Sequence, residues 1–194
     1  MSRKDHRIKA IAKTMAGVRA IAADGPLDRP KLEVIRGELL ALASQGDLFP
    51  AEDFPEAPPE VDDNCALYLL SQDEDGHFAL YLQVINGDLD VPPHNHHTWA
   101  VIAGLSGCEE NRFYDPLPEE PRETKRVSVT SGKAVALLPD DYHSIHLREP
   151  YPIASFHLYG LALELLPPRD FWNPKKERWD KIAPQDDIID RRAG

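Results

Sequence analysis

The chain of 194 residues contains little cysteine, no long hydrophobic run and fewer basic than acidic side chains. Its two cysteines, Cys65 and Cys108, are too few for a disulfide framework or a thiolate zinc cluster, which favours a reducing compartment such as the cytoplasm. Lys and Arg number 22 against 33 Asp and Glu, so the net charge is -11 and neither nucleic acid nor an anionic membrane surface is an expected partner. Because there is neither an 18-residue apolar run nor an apolar signal core near the start, the sequence predicts no membrane span and no secretory signal.

Helical periodicity is confined to the first part of the chain. Apolar residues recur every three or four positions over 5–23 and again over about 30–44, which predicts two half-buried helices. Residues 48–63 hold four prolines and six acids, a composition that indicates a connector rather than a helix or a central strand. Residues 1–64 are therefore predicted to form a helical extension followed by a Pro-rich acidic connector.

From residue 65 onward the hydrophobic period changes from 3.6 to 2, which is typical of strands. Short β-rich runs separated by Gly, Pro, Asn and Asp occur at 77–85, 97–103, 108–114, 125–130, 133–138, 143–148 and 152–159. Seven or eight such strands predict an all-β sandwich or barrel over 65–166. Residues 167–194 are rich in Pro, Trp and charge, and they are predicted to wrap the outside of this barrel.

Three of the eight histidines occur where strand geometry would bring them together. His94 and His96 are separated by one residue, so on a strand both rings project from the same face, whereas His97 points the opposite way. In the predicted strand at 143–148, His143 shares its face with apolar residues and His146 does not. Since imidazole is the commonest metal ligand, we expect His94, His96 and His143 to bind one metal ion.

These residues resemble a known superfamily over roughly 65–160. The two signature motifs of the cupins are matched by Gly87, His94-Asn95-His96, Gly107, Gly132, Pro139 and His143. This resemblance implies a mainly β fold, the cupin double-stranded β-helix or jelly-roll barrel, here with two N-terminal helices. Many cupins carry a fourth ligand, a glutamate, four or five residues after the second histidine, but Ala100 and Val101 stand there. The resemblance therefore implies a three-histidine site.

A narrower resemblance joins this histidine motif to a second one. The runs His94-Asn95-His96-His97-Thr98-Trp99 and Ser155-Phe156-His157-Leu158-Tyr159 are similar to those of the thiol dioxygenases, the family of cysteine dioxygenase and 3-mercaptopropionate dioxygenase. On a strand, Ser155, His157 and Tyr159 share one face and can form a hydrogen-bonded relay toward the metal. The alternative is that Tyr159 is an ordinary buried tyrosine.

Two departures from that family bear on the cofactor and the substrate. The cysteine that forms a Cys-Tyr cross-link in mammalian-type enzymes is replaced by Ala100 or Val101, so we expect no cross-link, and both cysteines of the chain are expected to be inert small hydrophobic residues. Tyr68 stands at the position of the substrate-binding arginine. Arg169 is then the candidate to bind a substrate carboxylate bidentately, with a surface ion pair to Asp170 as the alternative.

The resemblance implies a non-haem Fe(II) dioxygenase with one iron per chain. Its substrates would be O2 and a small thiol carboxylate, 3-mercaptopropionate rather than cysteine, and its product a sulfinic acid. Ser155, His157 and Tyr159 would be the catalytic residues, and Arg169 and Tyr68 the substrate-binding positions. Two alternatives stay open: a three-histidine dioxygenase that cleaves a C-C bond of a β-diketone-like substrate, and a non-catalytic metal-binding cupin sensor. The sequence leaves the oligomeric state and the metal itself open, since imidazole binds several transition metals.

Overall fold

Two helices precede the β-rich part of the chain in the computed structural model, which describes residues 1–57, 64–115 and 119–192. Helix α1, Arg3–Ala23, begins with a capping box, and helix α2, Arg29–Ala43, begins at an Asp28 side chain that accepts a hydrogen bond from the Lys31 amide. Both helices confirm the prediction from periodicity. Of the connector predicted at 48–63, residues 58–63 lie outside the described part. Neither helix combines the length and apolarity needed to cross a membrane.

Twelve strands are found in the described residues. They are β1 Cys65–Ser71, β2 His77–Ile85, β3 Leu89–His94, β4 Ala100–Ser106, β5 Glu109–Tyr114, β6 Glu123–Val129, β7 Ala134–Leu137, β8 Tyr142–Leu147, β9 Ile153–Leu161, β10 Arg169–Asn173, β11 Arg178–Ile182 and β12 Ile188–Asp190. They form two six-stranded sheets, in the orders β12-β1-β2-β9-β4-β7 (the first sheet) and β11-β10-β3-β8-β5-β6 (the second sheet).

The strand order identifies the fold. Strands β2 to β9 form the sets β2-β9-β4-β7 and β3-β8-β5-β6. The chain crosses between the two facing sheets at each connection except the β5-β6 hairpin, and the first and last of these eight strands pair. This is the connectivity of an eight-stranded jelly roll, the double-stranded β-helix of the cupin type. The predicted fold class, mainly β with two N-terminal helices, is therefore confirmed.

Strand β2 carries apolar side chains on both faces of the first sheet, and each face packs in a different apolar cluster. Leu80 and Leu82 are fully buried on the outer face, in one cluster with Met15 and Leu39 of the helices. Tyr81 points to the inner face and packs in a second cluster between the two sheets. Complete burial of one such apolar side chain contributes about 1.5–3 kcal/mol. The helices therefore stabilise the fold by covering the outer face of the first sheet. The interior between the two sheets is left available for polar groups.

The C-terminal residues do not form an outer wrapping segment, contrary to the prediction. Strands β10 and β11 pair with each other, and β10 extends the second sheet beside β3, while β12 pairs in parallel with β1 of the first sheet. The predicted division at residue 166 therefore cuts through both sheets. Because β10 lies next to β3, residues after 166 reach the interior of the barrel.

Candidate metal centre

The three histidines expected to bind a metal converge inside the barrel. His94, the last residue of β3, pairs directly across the strands with His143 of β8, and their ring centroids are 4.6 Å apart. The ring of His96 lies 4.9 Å from that of His94 and 5.0 Å from that of His143. All three are buried, and one nitrogen of each lies within 4.8 Å of the others. Together they can hold one metal ion.

His96 lies just beyond the strand that carries His94. Strand β3 ends at His94, and the next one begins at Ala100 rather than at residue 97. The chain bends at His97, which adopts the left-handed conformation with φ of +53°. His96 precedes this bend, and it lines the same cavity as His94, as the two-residue spacing predicts.

Gly160 of the neighbouring strand β9 leaves room for the bent segment at residues 97–99. A Cβ at Gly160 would lie 2.4 Å from the Trp99 indole nitrogen and 2.6 Å from the Thr98 hydroxyl oxygen. The backbone amide of Gly160 also donates to the Trp99 carbonyl at 3.0 Å. Any larger side chain would push away the segment that carries His96.

The two histidines predicted to point away from the metal do so. His97 is partly exposed, with its Nε2 3.7 Å from Asp170. His146 lies on the outer face of the second sheet, where its Nδ1 is 2.6 Å from Asp90 Oδ1 and its Nε2 is 2.8 Å from the Ser144 hydroxyl. Both rings are thereby engaged outside the interior cluster.

The protonation of the cluster fits a metal ion. His94 Nδ1 donates to the Pro92 carbonyl at 2.9 Å and His143 Nδ1 donates to Asn111 Oδ1 at 2.8 Å, so the Nε2 atom of each ring carries a lone pair. His143 Nε2 and His96 Nδ1 are buried without a hydrogen-bond partner among the described residues. Burial lowers the pKa of His94 to about 4 and holds the pKa values of His96 and His143 well below the ordinary range. The three rings are therefore neutral at pH 7, as metal ligands must be.

Next to the cluster, the Ser-x-His-x-Tyr residues of β9 are hydrogen-bonded in series. Ser155 Oγ is 3.0 Å from His157 Nε2, and His157 Nδ1 is 3.2 Å from the Tyr159 hydroxyl. The Tyr159 ring lies 5.2 Å from that of His96, centroid to centroid. Burial raises the pKa of Tyr159, so the phenol stays protonated at neutral pH. The structure thus brings the three residues together beside the histidine cluster.

Sequence reasoning missed the acid at the far end of this series, Glu109 of β5. Its carboxylate accepts a hydrogen bond from Ser155 Oγ at 2.7 Å, lies 3.3 Å from His157 Nε2, and accepts a second hydrogen bond from Asn111 Nδ2 at 3.0 Å. Burial alone would raise the pKa of Glu109, but the electrostatic interaction with His157 and the hydrogen bonds from His157, Ser155 and Asn111 outweigh it and hold the pKa below its ordinary value. The available signal was a glutamate and an asparagine on the inward face of a strand predicted at 108–114.

A cavity of about 140 Å³ opens beside the histidines, the tyrosine and Arg169. Arg169 is buried, no carboxylate lies within ion-pair distance of it in the described part of the chain, and its Nε has no hydrogen-bond partner there. The neighbouring Asp170, which the sequence offered as an ion-pair partner, pairs instead with Lys181 at 2.7 Å. Burying an unpaired guanidinium is costly, which points to a missing anionic partner in this cavity.

The residue between the two ligands of the first motif holds Arg169 in place. The backbone N–H of Asn95 donates to the Asp170 carbonyl at 3.1 Å, and the side-chain oxygen of Asn95 accepts from the backbone N–H of Asp170 at 3.0 Å. On the next residue of β10, Phe171 pairs with His94 across the sheet. Strand β10 is thus fixed against the ligand segment, and Arg169 lines the same cavity as His94.

One other sequence prediction needs correction, and one residue lies where the sequence did not place it. Tyr68 does not line the cavity: it lies on the helix side of β1, where its hydroxyl donates to the Pro55 carbonyl and its ring packs against Phe54. The alternation of β1 turns Tyr68 outward and Leu67 inward, so Tyr68 is not placed to bind substrate. Cys65, expected to be an inert small hydrophobic residue, lines the cavity, with its Sγ 3.2 Å from Gln83 Nε2.

The fold and the site together define a jelly-roll barrel whose interior carries a three-histidine cluster suited to a metal ion. No protein-family model matches the sequence, and no curated protein does. Solved structures similar to it include the cupin domain of Cnp3 from Schizosaccharomyces pombe, at 11% identity and a TM-score of 0.44, covering 58% of this chain and 72% of that one. A cupin superfamily protein from Desulfitobacterium hafniense has 10% identity and a TM-score of 0.43, covering 60% and 86%. An oxalate oxidase bound to glycolate has 12% identity and a TM-score of 0.46, covering 59% of each chain.

Proposed function

We propose that this protein is an Fe(II)-dependent dioxygenase that oxidises a small thiol carboxylate, 3-mercaptopropionate rather than cysteine, to its sulfinic acid. In this reaction both atoms of O2 end on the sulfur, which loses the four electrons that O2 gains. No external reductant is needed. The observation that carries the proposal is a single small cavity lined by ligand histidines, a protonated tyrosine and a buried arginine without a carboxylate partner.

Three groups of this chain have defined tasks in such a reaction. His94, His96 and His143 would hold the iron, which supplies electron transfer between the thiol sulfur and dioxygen. Arg169 would bind the substrate carboxylate through paired N–H donors and so orient the thiol toward the histidines. Tyr159, positioned by the hydrogen bond to its neighbour on β9, would hydrogen-bond to the reacting sulfur or oxygen atoms.

The cavity supports a small substrate without an ammonium group. Its volume of about 140 Å³ is well below the ~300–1,000 Å³ of pockets for drug-sized ligands. Among the described residues that line it none is acidic, and besides Arg169, Tyr159, Cys65 and the histidines its polar members are the neutral Gln83 and Gln185. The α-ammonium of cysteine would find no counter-charge there and would face the guanidinium of Arg169. 3-Mercaptopropionate avoids this cost because it lacks that group.

Oxygen uptake by protein loaded anaerobically with Fe(II) tests the proposal. The substrates are 3-mercaptopropionate, cysteine, cysteamine and acetylacetone, and we expect the highest kcat/KM for 3-mercaptopropionate, with two atoms of ¹⁸O2 in the sulfinate. Uptake with acetylacetone alone would favour C-C cleavage. Stoichiometric metal without oxygen uptake on any substrate would favour a non-catalytic sensor, and either result would refute thiol oxidation.

A further inference from the structure

We infer that Glu109 is a positioning residue that sets the direction of the hydrogen bonds on both sides of the candidate metal site. On one side it fixes, through Asn111, which nitrogen of His143 is free to bind the metal. On the other side it fixes, together with Ser155, that His157 carries a proton on Nε2, the nitrogen that does not face Tyr159. The inference rests on the metal site of the proposed function but not on the reaction.

The position of Glu109 makes this double role possible. It belongs to β5 of the second sheet, whereas Ser155 and His157 belong to β9 of the first sheet, so its carboxylate joins the two sheets inside the barrel. The side chain is fully buried, and an ionised carboxylate can only accept hydrogen bonds. Every group that contacts it must therefore turn a donor toward it.

On the side toward the metal, the direction of the hydrogen bonds follows because the Glu109 carboxylate only accepts. The Asn111 amide turns its NH2 to Glu109 Oε1 at 3.0 Å, which leaves its carbonyl oxygen facing His143 Nδ1 at 2.8 Å. A carbonyl oxygen is also only an acceptor, so the proton of His143 must be on Nδ1. The lone pair is then on Nε2, the buried nitrogen without a protein partner in the described residues.

The side toward the tyrosine follows in the same way. Ser155 donates its hydroxyl hydrogen to Glu109 Oε2 at 2.7 Å, so its oxygen can only accept from His157 Nε2 at 3.0 Å. Glu109 Oε2 is also 3.3 Å from that nitrogen, so both neighbours of Nε2 are acceptors. Nε2 therefore carries a proton, and Nδ1 is the nitrogen that meets the Tyr159 hydroxyl.

Ring-nitrogen NMR of the full chain loaded with Zn²⁺, a diamagnetic probe, tests the assignment directly. We expect His143 to be protonated on Nδ1 and bound to zinc through Nε2, and His157 to be protonated on Nε2. A His143 ring bound through Nδ1, or a His157 ring without a proton on Nε2, would overturn the inference. This measurement needs neither a variant nor turnover, so the absence of thiol oxidation would count against the proposed function alone.

Two glutamates adjacent on β5 provide a matched pair of variants. Glu109→Gln keeps the shape but can offer an N–H donor where the carboxylate only accepts, so the Asn111 amide is free to reverse. Loss of such an outer hydrogen-bonding partner typically weakens metal binding about 10–100-fold. We expect a fall in Zn²⁺ affinity of that size, measured by chelator competition. Glu110→Gln is the control, since Glu110 faces outward and pairs with Arg112 at 2.7 Å, and it should leave the affinity unchanged.

A double variant separates polarity from packing. In Glu109→Gln/Asn111→Asp, a carboxylate at position 111 accepts both from the NH2 group of the new glutamine and from His143 Nδ1, and the glutamine carbonyl oxygen still accepts from Ser155 and His157. The required direction is thus restored on both sides. We expect both the Zn²⁺ affinity and the Nε2 proton signal of His157 to recover. Unchanged affinity and ring signals in Glu109→Gln would contradict the inference, as would a double variant no tighter than the single one.

Discussion

Replacement of Arg169 by methionine separates a substrate-binding arginine from a structural one. Arg169 is buried and has no carboxylate partner in the described residues. If it binds substrate, Arg169→Met removes two charge-assisted hydrogen bonds that form only with a carboxylate substrate. At about 1.5 kcal/mol or more for each, the loss is about 3 kcal/mol, so kcat/KM for 3-mercaptopropionate should fall roughly 10²-fold. Cysteamine has no carboxylate, and its kcat/KM should change far less.

The stability of the same variant also differs between the two roles of Arg169. Because the guanidinium is buried without a counter-charge, a methionine of similar length should leave the Tm of the metal-free protein unchanged or raise it. Breaking a structural buried ion pair would instead cost about 3–5 kcal/mol, which for a chain of this size lowers the Tm by roughly 6–20 °C. Differential scanning calorimetry distinguishes the two outcomes.

The chain supplies a control in Arg7, a second buried arginine that does have partners. Its Nη1 donates to Asp53 at 2.6 Å and to the Leu48 carbonyl at 3.2 Å. Arg7→Met should lower the Tm by roughly 3–12 °C, for a loss of about 1.5–3 kcal/mol, without changing substrate preference. A large fall in Tm for Arg169→Met, or equal losses of kcat/KM on 3-mercaptopropionate and cysteamine, would refute the assignment of Arg169 to substrate.

Three further predictions concern the cluster and its neighbour. Alanine at His94, His96 or His143 should remove most of the bound iron, measured by plasma emission spectroscopy. Full iron stoichiometry in all three variants would refute the ligand assignment. Tyr159→Phe keeps the ring and should retain the Tm and the iron content while turnover falls about 10²-fold; wild-type kcat would make Tyr159 an ordinary core residue. Burial lowers the pKa of His94 to about 4, below the ~6.5 of an unfolded chain. The unfolded state of the metal-free protein therefore takes up the proton first as the pH falls, and His94 alone should contribute roughly 3 kcal/mol to the stability lost between pH 6.5 and 4. Urea denaturation should show a loss in His94→Gln that is smaller than the wild-type loss by about that amount.

Part of the candidate site was predictable because it depends only on local geometry. Ser155, His157 and Tyr159 share a face by the two-residue period of a single strand, and the structure places them in one hydrogen-bonded series. His94 and His96 were expected on one face from their two-residue spacing, and they line the same cavity, although the strand itself ends at His94 and the chain bends after His96.

Tyr68 shows where local reasoning failed. Position counting placed it at a substrate-binding site, but counting does not specify which face of β1 is turned toward the interior. That face is set by pairing with β2 and by the helices that cover the other side. Arg169 shows the converse case, since it was expected to bind substrate although residues 167–194 were predicted to wrap the outside, and its segment forms a strand that pairs beside His94.

By itself the sequence determined the two amphipathic helices and most of the strands, because periodicity within a short segment follows from backbone geometry alone. The jelly-roll class and the set of three histidines were expected from the resemblance of two motifs to those of the cupins. Only the tertiary structure brought Glu109 to Ser155, 46 residues away on the opposite sheet, and enclosed Arg169 in the same cavity as the ligands. Contacts between sheets depend on strand order and register, which arise from the packing of the whole barrel, and no local pattern of residues encodes them.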